Sequence, residues 1–233
     1  MVIAVVIPAY NEEHRLPPNL LRIHTHLEEQ GYDAEILVVD DGSRDQTRSS
    51  VEACRARCPG VRLLSYDGNR GKGFAVRTGV LAANRQAVLF TDADLSTPIS
   101  EVDRLWERLE SGFDVVIASR RMGESQIEVR QPWYRRIVGQ TFAVIVSLIG
   151  VRGFRDTQCG FKLFRADASR RLFTPLKTHG FAFDVEVLMR ARRLGLRVAE
   201  VPVRWINSSD SRVRPVRDSI RMLLEILRMR GIL

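Results

Sequence analysis

A chain of 233 residues that is 45% hydrophobic and 27% charged can bury a sizeable core, which excludes a disordered polypeptide. Its 36 Lys+Arg against 28 Asp+Glu give a formal charge of +8, which points to an anionic partner without choosing among nucleic acid, phospholipid and phosphorylated substrate. The three cysteines make no disulfide or zinc framework, the first apolar run is too short for a signal peptide, and no run approaches the about 20 apolar residues of a membrane span.

Residues 2–7 form an apolar run stopped by Pro8 and read as a fully buried strand. Residues 16–30 have helical character and end at Gly31. A strand over 35–39 runs into Asp40-Asp41-Gly42-Ser43, and a helix over 45–57 follows with Asp45 as its cap. A third strand covers 61–66, and a helix over 72–83 follows a glycine-rich turn. Residues 87–91 are a fourth strand leading directly into Asp92-Ala93-Asp94. Pro98 is placed at the first position of the next helix, and 114–118 is a fifth strand. Strict alternation of apolar strands and helices predicts an α/β fold with a mostly parallel sheet and helices on both faces. Right-handed crossovers bring the strand C-terminal ends to one edge, where ligands bind in such sheets. The loops at that edge, 8–13, 40–45, 67–72 and 92–97, are the most polar and glycine-rich in the chain.

The second half is less regular. Residues 126–136 are polar, 133–150 read as a helix, 160–164 as a strand or extended segment, 183–194 as a helix, and 196–205 as a strand interrupted by Pro202, which suits an edge or bulge. From about Pro215 a helix presents Val216, Ile220, Leu223, Leu224 and Leu227 on one face, opposite Arg217, Asp218, Arg221, Glu225 and Arg228. That face either packs on the domain or rests on an anionic membrane. The expected organisation is one domain over 1–233, with a first half (1–118), a second half (119–213) and a C-terminal amphipathic helix (214–233).

Asp92-x-Asp94 is the strongest motif. Two carboxylates converging after a strand repel each other and call for a cation. Oxygen ligands suit Mg²⁺ or Mn²⁺, and such an ion stabilises the charge on a departing nucleotide diphosphate. Capping of the following helix is the plainer alternative. Asp41 is placed to accept a hydrogen bond from a pyrimidine N–H, and Tyr10 to lie along a base or sugar. Asn69-Arg70-Gly71-Lys72-Gly73 is neither a P-loop nor a dinucleotide fingerprint, yet its N–H groups and Lys72 suit phosphate oxygens. Asp156, in Asp156-Thr157-Gln158-Cys159-Gly160-Phe161-Lys162, is placed to act on an acceptor or to orient an arginine. Asp184 and Glu186 divide between helix-terminal carboxylates and a role near the acceptor. Arg120, Arg121, Arg212 and Arg214 suit phosphates. His14, His24, His26 and His179 show no metal-ligand spacing and read as surface residues. No DNA-reading motif is present.

Pro8-Ala9-Tyr10-Asn11-Glu12, Val38-Val39-Asp40-Asp41-Gly42-Ser43 and Thr91-Asp92-Ala93-Asp94 resemble the family 2 glycosyltransferases of GT-A fold. Asn69–Gly73, Arg155–Phe164 and Phe181-Ala182-Phe183-Asp184-Val185-Glu186 resemble more narrowly the polyprenyl-phosphate branch, with its dolichyl-phosphate beta-glucosyltransferases. The similarity runs from residue 2 to about 228. It implies an inverting, metal-dependent transfer of a hexose, glucose from UDP-glucose, to a polyprenyl phosphate. GDP-mannose as donor and a soluble acceptor are the alternatives. By the same resemblance Pro8, Tyr10, Glu12 and Asp41 contact the nucleoside. Asp92 and Asp94 hold the diphosphate through Mg²⁺ or Mn²⁺, and Arg212 meets phosphate. Arg120, Arg130 and Asp156 lie near the polyprenyl phosphate, with Asp156 the general base should the acceptor be a hydroxyl. Ser96 stands where the related mannosyl enzymes have a glutamine, so a third metal ligand is not expected there. The resemblance also implies a place at the cytoplasmic face of a membrane, with peripheral contact through 142–151 and 215–230, and leaves a homodimer open. A nucleotidyltransferase and a non-catalytic polyanion-binding module are the more distant readings.

Overall fold

The computed structural model describes residues 1–128, 153–206 and 215–230. Strands β1 (Val2–Ala9), β2 (Asp33–Asp40), β3 (Val61–Ser65), β4 (Ala87–Thr91) and β5 (Val115–Ser119) alternate with helices α1 (Leu16–Glu29), α2 (Thr47–Cys54), α3 (Lys72–Ala82) and α4 (Val102–Glu110). Apart from α4, which begins four residues after the expected start at Pro98, these match the expected bounds to within three residues. Then come the short β6 (Gln126–Ile127), β7 (Phe161–Arg165), α5 (Ala166–Phe173), α6 (Phe183–Arg193), β8 (Val198–Pro202), β9 (Arg204–Trp205) and α7 (Pro215–Arg230). The expected helix over 133–150 lies outside the described residues, as do Arg130, Arg212 and Arg214.

Seven strands form one sheet in the order β3-β2-β1-β4-β7-β5-β8. The β1–β2, β1–β4, β2–β3 and β5–β8 pairs are parallel. β7 is the exception. It inserts between β4 and β5, antiparallel to both, with Phe161 opposite Thr91 and Phe164 opposite Val88 and Val115. Consequently β4 and β5 are not neighbours, and the start of β7 reaches the edge where β4 ends. β8 is an edge strand, so the missing N–H of Pro202 costs no ladder bond.

Alternation along the strands divides the core into two layers. Ile3, Val5, Ile7, Val38, Leu89 and Leu163 face α1 and α4, against Leu20, Ile23, Leu27, Leu105 and Leu109. Ala4, Val6, Leu37, Val39, Phe90 and Ile117 face the other way, against Val76 and Val80 of α3, Phe173 of α5, Phe183 and Leu188 of α6, and Met222 and Ile226 of α7. The face of α7 that packs is therefore Met222, Ile226 and Met229, whereas Leu224 and Leu227 are exposed. Of the expected apolar stripe, Leu223 packs partly against the core, and the side chains of Val216 and Ile220 lie outside the described residues.

Other details depart from expectation. Pro98 is extended and precedes a single 3₁₀ turn that leads into α4, so it is not the first helical residue. Asp45 sits one residue before the cap of α2, and its carboxylate receives the Thr47 N–H and the Glu13 N–H. His24 is buried with Glu28 3.3 Å away, and His26 meets the ring edge of Tyr32. Neither is a surface residue. Cys54, Cys58 and Cys159 are free thiols.

α3 lies so close to the sheet that a Cβ on Gly79 would stand 2.4 Å from Val6 Cγ1 and 2.9 Å from Val39 Cγ2. Gly79→Leu is expected to lower the unfolding free energy by roughly 1–3 kcal/mol through overpacking. Gly123→Ala, which meets nothing within 4 Å, should stay within about 0.5 kcal/mol of wild type; urea denaturation of both variants checks the contrast.

Candidate active site

The loops after β1 and β2 are knitted into one wall. Asn11 takes a left-handed backbone (φ 54°); its N–H donates to Ser43 Oγ (2.8 Å), and its Oδ1 accepts the Arg44 N–H (2.8 Å). The Glu12 N–H donates to Thr47 Oγ1 (2.7 Å). The carboxylate of Glu12 is gripped by Arg15 at 2.7 and 2.6 Å. Gly42 (φ 70°) lies against the backbone of Gly68, where a Cβ would fall 2.4 Å from the carbonyl carbon. Close contact between the second and third loops therefore requires glycine at 42.

Asp41 is the pin of that contact. Its Oδ1 accepts from Tyr66 Oη (2.8 Å) and the Arg70 N–H (2.7 Å), and its Oδ2 from the Gly71 N–H (2.9 Å). It lines the cleft as expected, but most of its acceptor capacity is spent on the glycine-rich turn. Burial and the Asp41 partner push the Tyr66 phenol well above its ordinary range. Arg70 stacks over the Tyr66 and Phe74 rings, about 5 Å from each centroid.

Beyond β4 the chain turns at once. The Asp92 N–H donates to the Gly160 carbonyl (3.1 Å), the Leu95 N–H to the Asp92 carbonyl (3.1 Å), and the Ser96 N–H to Asp94 Oδ1 (3.1 Å). Leu95 is left-handed (φ 49°), a strained conformation that keeps the turn tight. Asn19 of α1 fixes the Ala93 carbonyl from below (2.9 Å). Lys72 Nζ stands 2.7 Å from Asp92 Oδ1. Burial lowers the proton affinity of Lys72, but the charges of Asp92 and Asp184 outweigh it and hold the ammonium charged. Burial pushes the Asp94 carboxyl up, and the neighbouring Asp92 charge adds to that.

These residues line one open cleft of about 800 Å³. Its donor-side wall carries Pro8, Tyr10, Glu12 and Asp41; its floor carries Lys72, Asp92 and Asp94; the far wall carries Lys177, Phe181, Arg221, Met222, Arg228 and Met229. Six of the expected site residues on the donor side and floor thus come together with Lys72. Arg120 and Asp156 do not line this cleft. Asp156 is 2% exposed and receives the Arg120 backbone N–H (3.0 Å), Nε (2.7 Å) and Nη2 (2.9 Å). Despite burial, Arg120 holds the Asp156 carboxyl well below the usual carboxylate range. Of the two roles left open for it, orienting an arginine is the one the geometry supports.

Glu186 and Asp184 are both buried. Glu186 accepts the N–H groups of Lys177 and Thr178 (3.1 and 2.8 Å) and Arg190 Nε (2.8 Å), so it shapes the far wall. Asp184 pairs with Lys162 at 2.7 Å. Lys162, Lys177, Arg221 and Arg228 are the residues that sequence reasoning missed. Lys162 sits inside an apolar strand and Lys177 in an irregular loop, where no periodicity marks them.

Residues 4–173 match the model of glycosyl transferase family 2. The chain belongs to that family. Among its relatives are dolichyl-phosphate beta-glucosyltransferases from Dictyostelium discoideum (35% identity, 98% of this chain and 73% of the relative), Drosophila melanogaster (38%, 91% and 69%) and Homo sapiens (33%, 98% and 74%). The narrower resemblance read from residues 69–73, 155–164 and 181–186 agrees with these. Among solved structures, glucosyl-3-phosphoglycerate synthase from Mycobacterium tuberculosis with Mn²⁺, uridine diphosphate and glucosyl-3-phosphoglycerate superposes with a TM-score of 0.71. It shares 22% identity over 97% of this chain and 77% of that one. At that identity the likeness concerns the fold, which is the mixed GT-A sheet described above. No helix among the described residues is long and apolar enough to cross a membrane.

Because the folded-state pKa of Asp94 is raised above its unfolded value, its protonation favours the fold: that contribution is present below the ordinary carboxylate range and lost as pH rises through the raised value. In metal-free protein, Asp94→Asn should therefore raise the melting temperature at pH 7, and the gain should vanish as pH falls below the carboxylate range. Melting curves across pH with chelator present read the effect.

Proposed function

We propose that this family 2 enzyme transfers glucose from UDP-glucose to a polyprenyl-type phosphate with inversion, using a divalent cation held by Asp92 and Asp94. The observation that carries the reading is the floor of the cleft: two carboxylates on one turn, between a nucleoside-sized wall and a wall that mixes cations with apolar side chains.

The residues present fit a hard divalent ion. Asp94 is pushed toward its neutral form by burial and by the Asp92 charge, and Asp92 already holds a cation, the Lys72 ammonium. Among the described residues no cluster of three or more His, Cys, Asp or Glu is formed. Magnesium and manganese are commonly held by one or two carboxylates together with substrate phosphates, so two protein ligands suffice. When bound, the ion supplies electrostatic stabilisation of the departing diphosphate. Mn²⁺ and Mg²⁺ both suit this donor set.

The chain's own residues do the rest. Pro8, Tyr10 and Glu12 form the wall for the nucleoside. Asp41 contributes mainly by fixing residues 69–72, which brings Lys72 to the floor, where its ammonium balances the excess negative charge. Lys177, Arg221 and Arg228 offer charge to an acceptor phosphate, and Phe181, Met222 and Met229 offer apolar contact to a hydrocarbon next to it. A phosphomonoester, with a second pKa of about 6, is largely ionised near neutral pH and needs no strong base. Asp156 would be called on as a base only for a hydroxyl acceptor. Arg120, Arg130 and Arg212 remain the phosphate residues that the resemblance implies, although Arg120, held by Asp156 and 5.5 Å from the Trp205 ring, lies outside this cleft. The relatives' names favour a lipid phosphate acceptor, and the fold likeness to glucosyl-3-phosphoglycerate synthase makes a soluble phosphorylated acceptor the second reading.

Asp94→Ala should abolish sugar transfer at saturating metal while retaining a cooperative melt. Transfer at the wild-type rate would end the metal assignment. A matrix of UDP-glucose and GDP-mannose against polyprenyl phosphate and 3-phosphoglycerate, with Mn²⁺, Mg²⁺ or chelator, should give lipid-linked glucose with metal only. Product from 3-phosphoglycerate alone would move the acceptor to the soluble class.

A further inference from the structure

Lys162 is a lysine in the middle of an apolar strand. It lies on β7 opposite Phe90 and Ile117, is 1% exposed, and has its ammonium 5.8 Å from the centre of the Phe90 ring. Removing an ammonium and a carboxylate from water costs several kcal/mol each, and an apolar pair of like volume is often no less stable. Packing therefore gives no reason for the Lys162–Asp184 pair. Its contacts lead to the reaction centre. Nζ donates to Asp184 Oδ1 (2.7 Å) and to the Cys159 carbonyl (2.6 Å). The next residue, Gly160, accepts the Asp92 N–H through its carbonyl (3.1 Å). The Asp92 carboxylate also lies flat against the Gly160 Cα: an added Cβ would stand 2.0 Å from Oδ2 and 2.4 Å from Cγ. Any shift of the 159–160 turn must move Asp92.

We propose that Lys162 is a positioning residue for the reaction centre: by holding the Cys159 carbonyl it sets Gly160 as the seat of the Asp92 carboxylate. Asp184 accepts the second hydrogen bond of Lys162 Nζ, at 2.7 Å. With Lys72 and Asp92 the pair forms two adjacent ion pairs of 2.7 Å each, whose ammoniums lie 5.3 and 5.8 Å from the same Phe90 ring. The inference rests on the reading that Asp92 and Asp94 hold a metal.

The test compares Lys162→Met/Asp184→Asn, which leaves no uncompensated buried charge, with Asp184→Asn alone, which keeps the bond to the Cys159 carbonyl. Mn²⁺ binding in the presence of UDP is followed by loss of the free-ion electron paramagnetic resonance signal, alongside melting curves and turnover. Supporting partners behind metal ligands typically change affinity by 10–100-fold. The double variant should accordingly weaken Mn²⁺ binding by roughly tenfold or more, and the single variant by less than about threefold. A cooperatively melting double variant with wild-type Mn²⁺ affinity overturns the proposal, as does an equal loss in both variants. Should the double variant fail to melt cooperatively, Gly160→Ala decides: the same loss supports the seat, and unchanged affinity overturns it. Wild-type protein that binds no Mn²⁺ with UDP would sink the metal reading and this inference together, whereas normal wild-type binding with an unaffected variant sinks this inference alone.

Discussion

Two acids two residues apart at the end of a buried strand repel each other, and most of the cleft can be understood as the means of holding them there. Asp92 and Asp94 share one tight turn, fixed by the Gly160 carbonyl, the Ser96 N–H and the Asn19 amide. Their mutual repulsion is balanced by Lys72 at 2.7 Å. That lysine is brought to the floor by the glycine-rich turn, which is itself tied to Asp41. The chain thus sets a cation of its own beside the carboxylates.

This arrangement changes the meaning of several motif residues. Asp41 and Glu12 both belong to the cleft, yet the carboxylate of each is largely committed to protein donors: Tyr66 and two backbone N–H groups for the one, Arg15 for the other. Both carboxylates therefore serve to hold the loops of the cleft in place. Asp156 is a parallel case. Its closed pair with Arg120 spends a buried carboxylate on aiming a guanidinium.

The far wall follows a different logic. Glu186 ties residues 177–178 to α6, and α7 covers the same side of the cleft through Met222, Ile226 and Met229. Cations and thioethers are presented side by side, a combination suited to a ligand with a charged head and an apolar body.

Much of the fold was legible from residue order. The regular alternation of apolar strands over residues 2–118, each ending in a polar loop, determines a parallel α/β core and an active edge, because a buried parallel strand must be apolar on both faces and its connection must cross on one hand. The acids at 41, 92 and 94 were visible because each follows an apolar strand at the edge where the polar, glycine-rich loops gather. The tertiary structure alone decided what lies against them. β7 enters antiparallel between β4 and β5, which brings Gly160 to Asp92 and Lys162 to Asp184 across long separations in sequence. Nothing in the local pattern Phe161-Lys162-Leu163-Phe164 marks its lysine as buried and paired, since strand periodicity places a side chain on a face but does not name the residue it will meet there.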